Sequence, residues 1–206
     1  MRVNLPNMLI VLRIILIPVF LFFFLSSPDS QVPPEAGESA GLLWAVTGGL
    51  TAIVYTPFRL AAVAVFLIAA ISDYFDGLLA RKWNTVSNFG KLMDPLADKM
   101  LVSAAMVALA SRQELAAWVV IVIICREFWV TSLRMLALEQ GKEIISASMW
   151  GKIKTVLQMV MLTVLIAGYG TSAVGILLVY MAVFATILSA IEYTRGHKDV
   201  FEVKQK

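Results

Sequence analysis

The sequence has a single cysteine, so no disulfide can form within the chain. Cys125 stands in an apolar run and reads as a small, buried packing residue. Polar surface is scarce as well. Of the 206 residues, 15% are charged and 60% are hydrophobic, and the mean hydropathy is +0.83. That composition excludes an ordinary water-soluble globular domain. No internal repeat, low-complexity tract or separate polar module interrupts the pattern, so one membrane domain spanning 1–206 is expected. The first apolar stretch, Met8 to Leu25, has no clean small-residue cleavage site after it and carries Arg13 and Pro18 inside. It reads as a retained helix rather than a signal peptide. The formal charge of +3 is small, and no nucleic-acid partner is expected.

What the chain has in quantity is apolar runs of bilayer length, about 20 residues each. Six spans can be placed: Met8–Ser26, Leu60–Ala80, Pro95–Ser111, Leu115–Leu138, Gly151–Gly168 and Ser172–Tyr193. The expected fold class is therefore all-α and polytopic, with six transmembrane helices. Between the first two spans, residues 27–57 form an extracytoplasmic loop or interfacial segment. Its first part, Ser27 to Ser39, is polar and proline-rich, whereas Gly41 to Pro57 is apolar and broken by Gly48, Gly49 and Pro57. That second part reads either as an interfacial segment or as an extension of span two. Fifteen of the seventeen Lys and Arg fall on one side or at its helix ends, and only Arg59 and Arg112 fall on the other. This asymmetry places both termini in the cytoplasm.

Four carboxylates stand where an ionised acid is expensive unless it is paired, solvated or bound to a cation. Asp73 and Asp76 lie three residues apart toward the end of span two, and Asp94 and Asp98 lie four apart at the start of span three. Each pair shares a helix face. Gly77 and Ala80 leave space between the first pair and Arg81 for a ligand to reach the backbone. Pro95 is expected in the first turn of its helix, where a missing N–H costs nothing. Two such helices facing each other would offer hard oxygen ligands to Mg²⁺ or Mn²⁺, with a phosphate-bearing substrate completing the shell. The plainer alternative is a structural network with Arg81, Lys91 and Lys99, but four acids on two matched faces argue against it. Intramembrane acids also line ion paths. A cation transporter is disfavoured because the four gather toward one face with no acid expected mid-span elsewhere.

From Asp73 to Asp98 the chain resembles the signature of the CDP-alcohol phosphatidyltransferase family, D-x2-D-G-x2-A-R-x8-G-x3-D-x3-D. Asp73, Asp76, Gly77, Ala80, Arg81, Gly90, Asp94 and Asp98 match every fixed position. The resemblance implies a two-metal site in which Asp73 and Asp94 bridge both ions, Asp76 binds the first and Asp98 the second. Asp98 would also take the proton of the acceptor hydroxyl. Pro6, Asn7, Gly77, Ala80, Arg81, Ser87 and Gly90 would form the CDP-diacylglycerol site. The resemblance further implies a homodimer among membrane lipids, and the charge asymmetry puts the site at the cytoplasmic face of the inner (cytoplasmic) membrane.

The acceptor is read from residues outside the signature. Arg126 and Arg134 lie eight apart in span four, and Lys152 and Lys154 open span five. Four cations toward the basic side suit an acceptor that carries its own phosphate. The stretches Pro6–Arg13, Arg126–Arg134, Gly151–Met159 and Ile187–Tyr193 look like the branch of the family that uses sn-glycerol 3-phosphate. Inositol phosphate, serine and choline are the rival acceptors within the family. A noncatalytic scaffold would leave the eight matched positions unexplained.

Overall fold

The computed structural model describes residues 5–27, 57–72, 88–140 and 149–196. Side-chain surroundings are described from residue 11 in the first stretch and from residue 99 in the third, residues 138 and 139 apart. Six helices and no strand occur among the described residues. They are α1 (Leu5–Ser26), α2 (Pro57–Ser72), α3 (Asn88–Ser111), α4 (Ala117–Glu139), α5 (Met149–Ile166) and α6 (Ala173–Gly196). Each overlaps the position of an expected apolar run, and residues 73–80 of the second run lie outside the described residues. By length and composition, α5 and α6 are long and apolar enough to cross a membrane, and shorter apolar helical stretches run over Val11–Ser26, Pro57–Ser72 and Lys99–Ser111. Almost all of the loop expected over residues 27–57 lies outside the described residues.

Contacts divide the chain into two compact units. The first holds α1, α2 and α3. Its core follows helical spacing: Ile17, Phe20 and Phe24 from α1, Ala62, Phe66 and Ala69 from α2, and Leu101, Ala105, Ala108 and Leu109 from α3 are buried. Phe20 stacks on Phe24 at 5.7 Å and meets Phe66 at 6.0 Å. Alanines on the facing stripes let the helix backbones approach. Arg13, one turn before Ile17 on the same stripe, is buried with them. At one end of this unit Arg59, in the first turn of α2, and Arg112, just past α3, both lie over the Phe24 ring. The end of α1, the start of α2 and the end of α3 therefore meet. The two arginines set apart by charge asymmetry converge at that end.

The second unit holds α4, α5 and α6. Val119, Ile123, Val130, Leu133 and Ala137 are the buried stripe of α4, and Gly175, Ala182, Thr186, Ser189 and Tyr193 are that of α6. The buried stripe of α5 is Lys154, Gln158, Met161, Leu162 and Leu165, so it turns from apolar to polar toward the helix start. Ser172 caps α6: its hydroxyl accepts from the Gly175 amide at 3.0 Å and donates to the Tyr169 carbonyl at 2.6 Å.

The outward faces are as apolar as the cores. Phe22, Leu25, Ile68, Ile71, Ile121, Phe128, Val156, Tyr180 and Phe184 are all more than half exposed, while Arg13, Lys154, Gln158 and Ser189 are buried. Apolar surface outside and polar side chains within is the pattern of a protein whose solvent is lipid.

Candidate active site

The α3 backbone carries Gly90, Asp94 and Asp98 at successive four-residue steps, which places them along one stripe of a continuous helix. The helix begins at Asn88 rather than beside Pro95, so the expectation of Pro95 in the first turn is corrected. Pro95 sits about two turns in, where its absent N–H leaves the Lys91 carbonyl without its usual helical donor. The early start has a simple cause: Asn88 to Met93 is too polar for an apolar span but contains nothing that stops a helix. Pro6 and Asn7 lie in the first turn of α1, where proline costs no helical hydrogen bond.

Asp73 follows directly on Ser72, the last described residue of α2, whose hydroxyl donates to the Ile68 carbonyl at 2.8 Å. Asp73, Asp76, Gly77, Ala80, Arg81 and Ser87 lie outside the described residues, as do the side chains of Pro6, Asn7, Gly90, Asp94 and Asp98. Among the described residues no group of three or more His, Cys, Asp or Glu side chains that could hold a metal ion occurs. The described part of the chain thus offers no competing metal centre.

The basic residues are described in full. In the second unit, Arg126 donates from one terminal nitrogen to Glu127 Oε1 at 3.2 Å and from the other to the Ser189 hydroxyl on α6. Lys154, on α5, donates to the same Glu127 oxygen. Arg134 donates to the Tyr193 hydroxyl at 2.8 Å, with its guanidinium 5.3 Å from that ring. Arg126 and Arg134 therefore both reach α6, as their eight-residue spacing allows. Lys152 is exposed on α5, while Lys154 is buried. Three of the four basic candidates thus have defined partners, and two of them share one carboxylate oxygen.

Two expectations change. Cys125 is exposed rather than buried and lines a groove of about 360 Å³ between α4 and α6 with Trp129 and Ile187. In a lipid-facing helix an apolar run does not distinguish inside from outside, so a small residue there carries no burial signal. The expectation that no acid lies mid-span outside the signature fails at Glu127, near the centre of α4. Ser189 and Tyr193 emerge from the packed structure as partners of Arg126 and Arg134. In the sequence they show only a four-residue spacing; their burial and their place opposite the α4 arginines come from the packing of α6.

A sequence profile described as CDP-alcohol phosphatidyltransferase matches residues 3–188, which takes in the whole Asp73–Asp98 signature. The chain belongs to the CDP-alcohol phosphatidyltransferase family. It is similar to the CDP-diacylglycerol–glycerol-3-phosphate 3-phosphatidyltransferase of Bacillus subtilis (strain 168), 39% identical over 92% of this chain and 93% of the relative. The protein of the same name from Rickettsia bellii (strain RML369-C) is 33% identical over 96% of this chain and 97% of its own length. That from Escherichia coli (strain K12) is 34% identical over 94% of each. As a CDP-alcohol phosphatidyltransferase, the chain carries every signature acid, and the match extends through α4, α5 and most of α6. The basic residues at Arg126, Arg134, Lys152 and Lys154 thus lie inside the family domain.

Proposed function

We propose that this enzyme transfers the phosphatidyl group of CDP-diacylglycerol to sn-glycerol 3-phosphate, giving phosphatidylglycerophosphate and CMP in anionic phospholipid synthesis. The observation that carries the reading is similarity across more than nine-tenths of the chain to enzymes named for that reaction, with the eight-position signature intact.

The donor set fits a divalent metal pair, because it consists only of carboxylates, the ligands that Mg²⁺ and Mn²⁺ prefer. Asp73, Asp76, Asp94 and Asp98 would hold such a pair, with Asp73 and Asp94 shared between the two ions. The chemistry such a pair would supply is charge neutralisation, of the pyrophosphate and of departing CMP. Asp98 takes the proton from the acceptor hydroxyl as its oxygen forms a bond to the lipid-linked phosphorus and the bond to the CMP oxygen breaks. No covalent enzyme intermediate is needed. Pro6, Asn7, Gly77, Ala80, Arg81, Ser87 and Gly90 hold the CDP-diacylglycerol, with the glycines and alanine admitting the ligand close to the backbone. Arg126, Arg134, Lys152 and Lys154 attract the acceptor phosphate.

The same reading makes all six helices transmembrane, with both termini and the active site facing the cytoplasm and the protein working as a homodimer in the inner membrane. It is supported by the one-sided distribution of Lys and Arg and by the apolar outward faces. The test is an acceptor panel. Purified protein with CDP-diacylglycerol and Mg²⁺ or Mn²⁺ should release CMP with glycerol 3-phosphate. Release only with inositol phosphate, serine or choline would overturn the acceptor assignment.

A further inference from the structure

We propose that Glu127 is the positioning residue for the acceptor-phosphate site, holding Arg126 and Lys154 as a two-armed anion cradle. The proposal rests on the assignment of those two cations to the acceptor. Glu127 belongs neither to the signature nor to the basic set, and its role follows from how the second unit is wired.

A single oxygen, Glu127 Oε1, accepts hydrogen bonds from both Arg126 and Lys154. The residues come from different helices, α4 and α5, and α6 joins them through Ser189, which accepts from the other end of the Arg126 guanidinium. All are sheltered: Lys154 is 4% exposed, and the Arg126 and Glu127 side chains are 10% and 19% exposed. Two cations on one carboxylate oxygen repel each other, and each side chain is long enough to swing away. A shared carboxylate oxygen fixes the ammonium and the guanidinium relative to each other, and Ser189 fixes the plane of the latter. The arrangement pairs a planar fork of donors with a compact point charge, complementary to a phosphate monoester dianion. A second observation points to a ligand. Arg126 Nε is buried without a hydrogen-bond partner, an N–H that costs free energy until it finds an acceptor.

A positioning role separates from a catalytic one in steady-state kinetics. Removing an interaction made equally in ground and transition states raises KM and leaves kcat nearly unchanged. In purified enzyme, Glu127→Gln should raise KM for glycerol 3-phosphate by about tenfold, the scale of one misdirected charge-assisted hydrogen bond. The KM for CDP-diacylglycerol should stay within about twofold. Inorganic phosphate, as a competitive inhibitor against glycerol 3-phosphate, should weaken in parallel. Glu127→Asp keeps the charge and should recover most of the loss, which also serves if the glutamine variant does not fold. Arg126→Lys and Lys154→Met are run beside them. If these two raise the acceptor KM but neither Glu127 variant does, the acceptor assignment stands and the positioning role is overturned. If no variant moves that KM selectively, the network is structural and the acceptor assignment falls with it.

Discussion

Arg112 grips Phe24 from two directions: its guanidinium lies 5.1 Å from the ring centroid and donates to the Phe24 carbonyl at 2.6 Å. The same nitrogen reaches the Ser27 hydroxyl at 2.8 Å, and Ser27 in turn donates to the Phe24 carbonyl at 2.6 Å. The end of α1 leaves carbonyls without helical donors, and Arg112 supplies one from the residue just past α3. Arg112→Ala should destabilise the protein by about 1–3 kcal/mol through the lost charged hydrogen bond. Arg112→Lys should cost less, because it keeps a donor. Thermal unfolding in detergent checks both, and an unchanged midpoint in the alanine variant would remove the clamp from the account.

The turn into α6 is tighter still. A Cβ on Gly175 would sit 2.3 Å from the Tyr169 carbonyl oxygen and 2.8 Å from that of Gly170, both fixed backbone atoms. Gly175→Ala should therefore destabilise by about 1–3 kcal/mol, as overpacking does. Ser172→Ala should cost about 1 kcal/mol through loss of the helix cap. The expected order, Gly175→Ala at least as damaging as Ser172→Ala, is read from the same unfolding curves.

The carboxylate set gives a sharper contrast between activity and stability. Asparagine at Asp73, Asp76 or Asp94 should abolish transfer by removing a metal ligand, and a chelator should do the same reversibly. Asp98→Asn removes ligand and base together and should lower kcat by at least about 10²-fold. Full activity in Asp98→Asn would sink the base assignment.

Much of this was legible in the sequence. Helix positions followed from apolar runs, and the acids announced themselves because an ionised group in such a run needs a reason. Two things were not legible. In lipid the outward face is as apolar as the core, so the exposure of Cys125 could not be read from its neighbours. Likewise, Lys154 at the start of a span looks the same whether it dresses a membrane surface or lies buried against Glu127. Pairing between helices is a property of the packed unit, and one acid beside one arginine in α4 did not reveal its second cation on α5.

Topology can be tested with the lone cysteine removed. In a Cys125→Ser background, cysteines placed at Ser30 and Lys204 should label from opposite sides of sealed inner-membrane vesicles. Labelling from the same side would contradict the odd number of spans, five, expected between Ser30 and Lys204.

The most direct test of the central claim is mass-spectrometric identification of the products made by purified enzyme from CDP-diacylglycerol and glycerol 3-phosphate with Mg²⁺ or Mn²⁺. The account predicts phosphatidylglycerophosphate and CMP in equal amounts, and neither product in the Asp94→Asn variant. Wild-type enzyme that consumes no CDP-diacylglycerol under these conditions, or an Asp94→Asn variant that still forms both products, would contradict it.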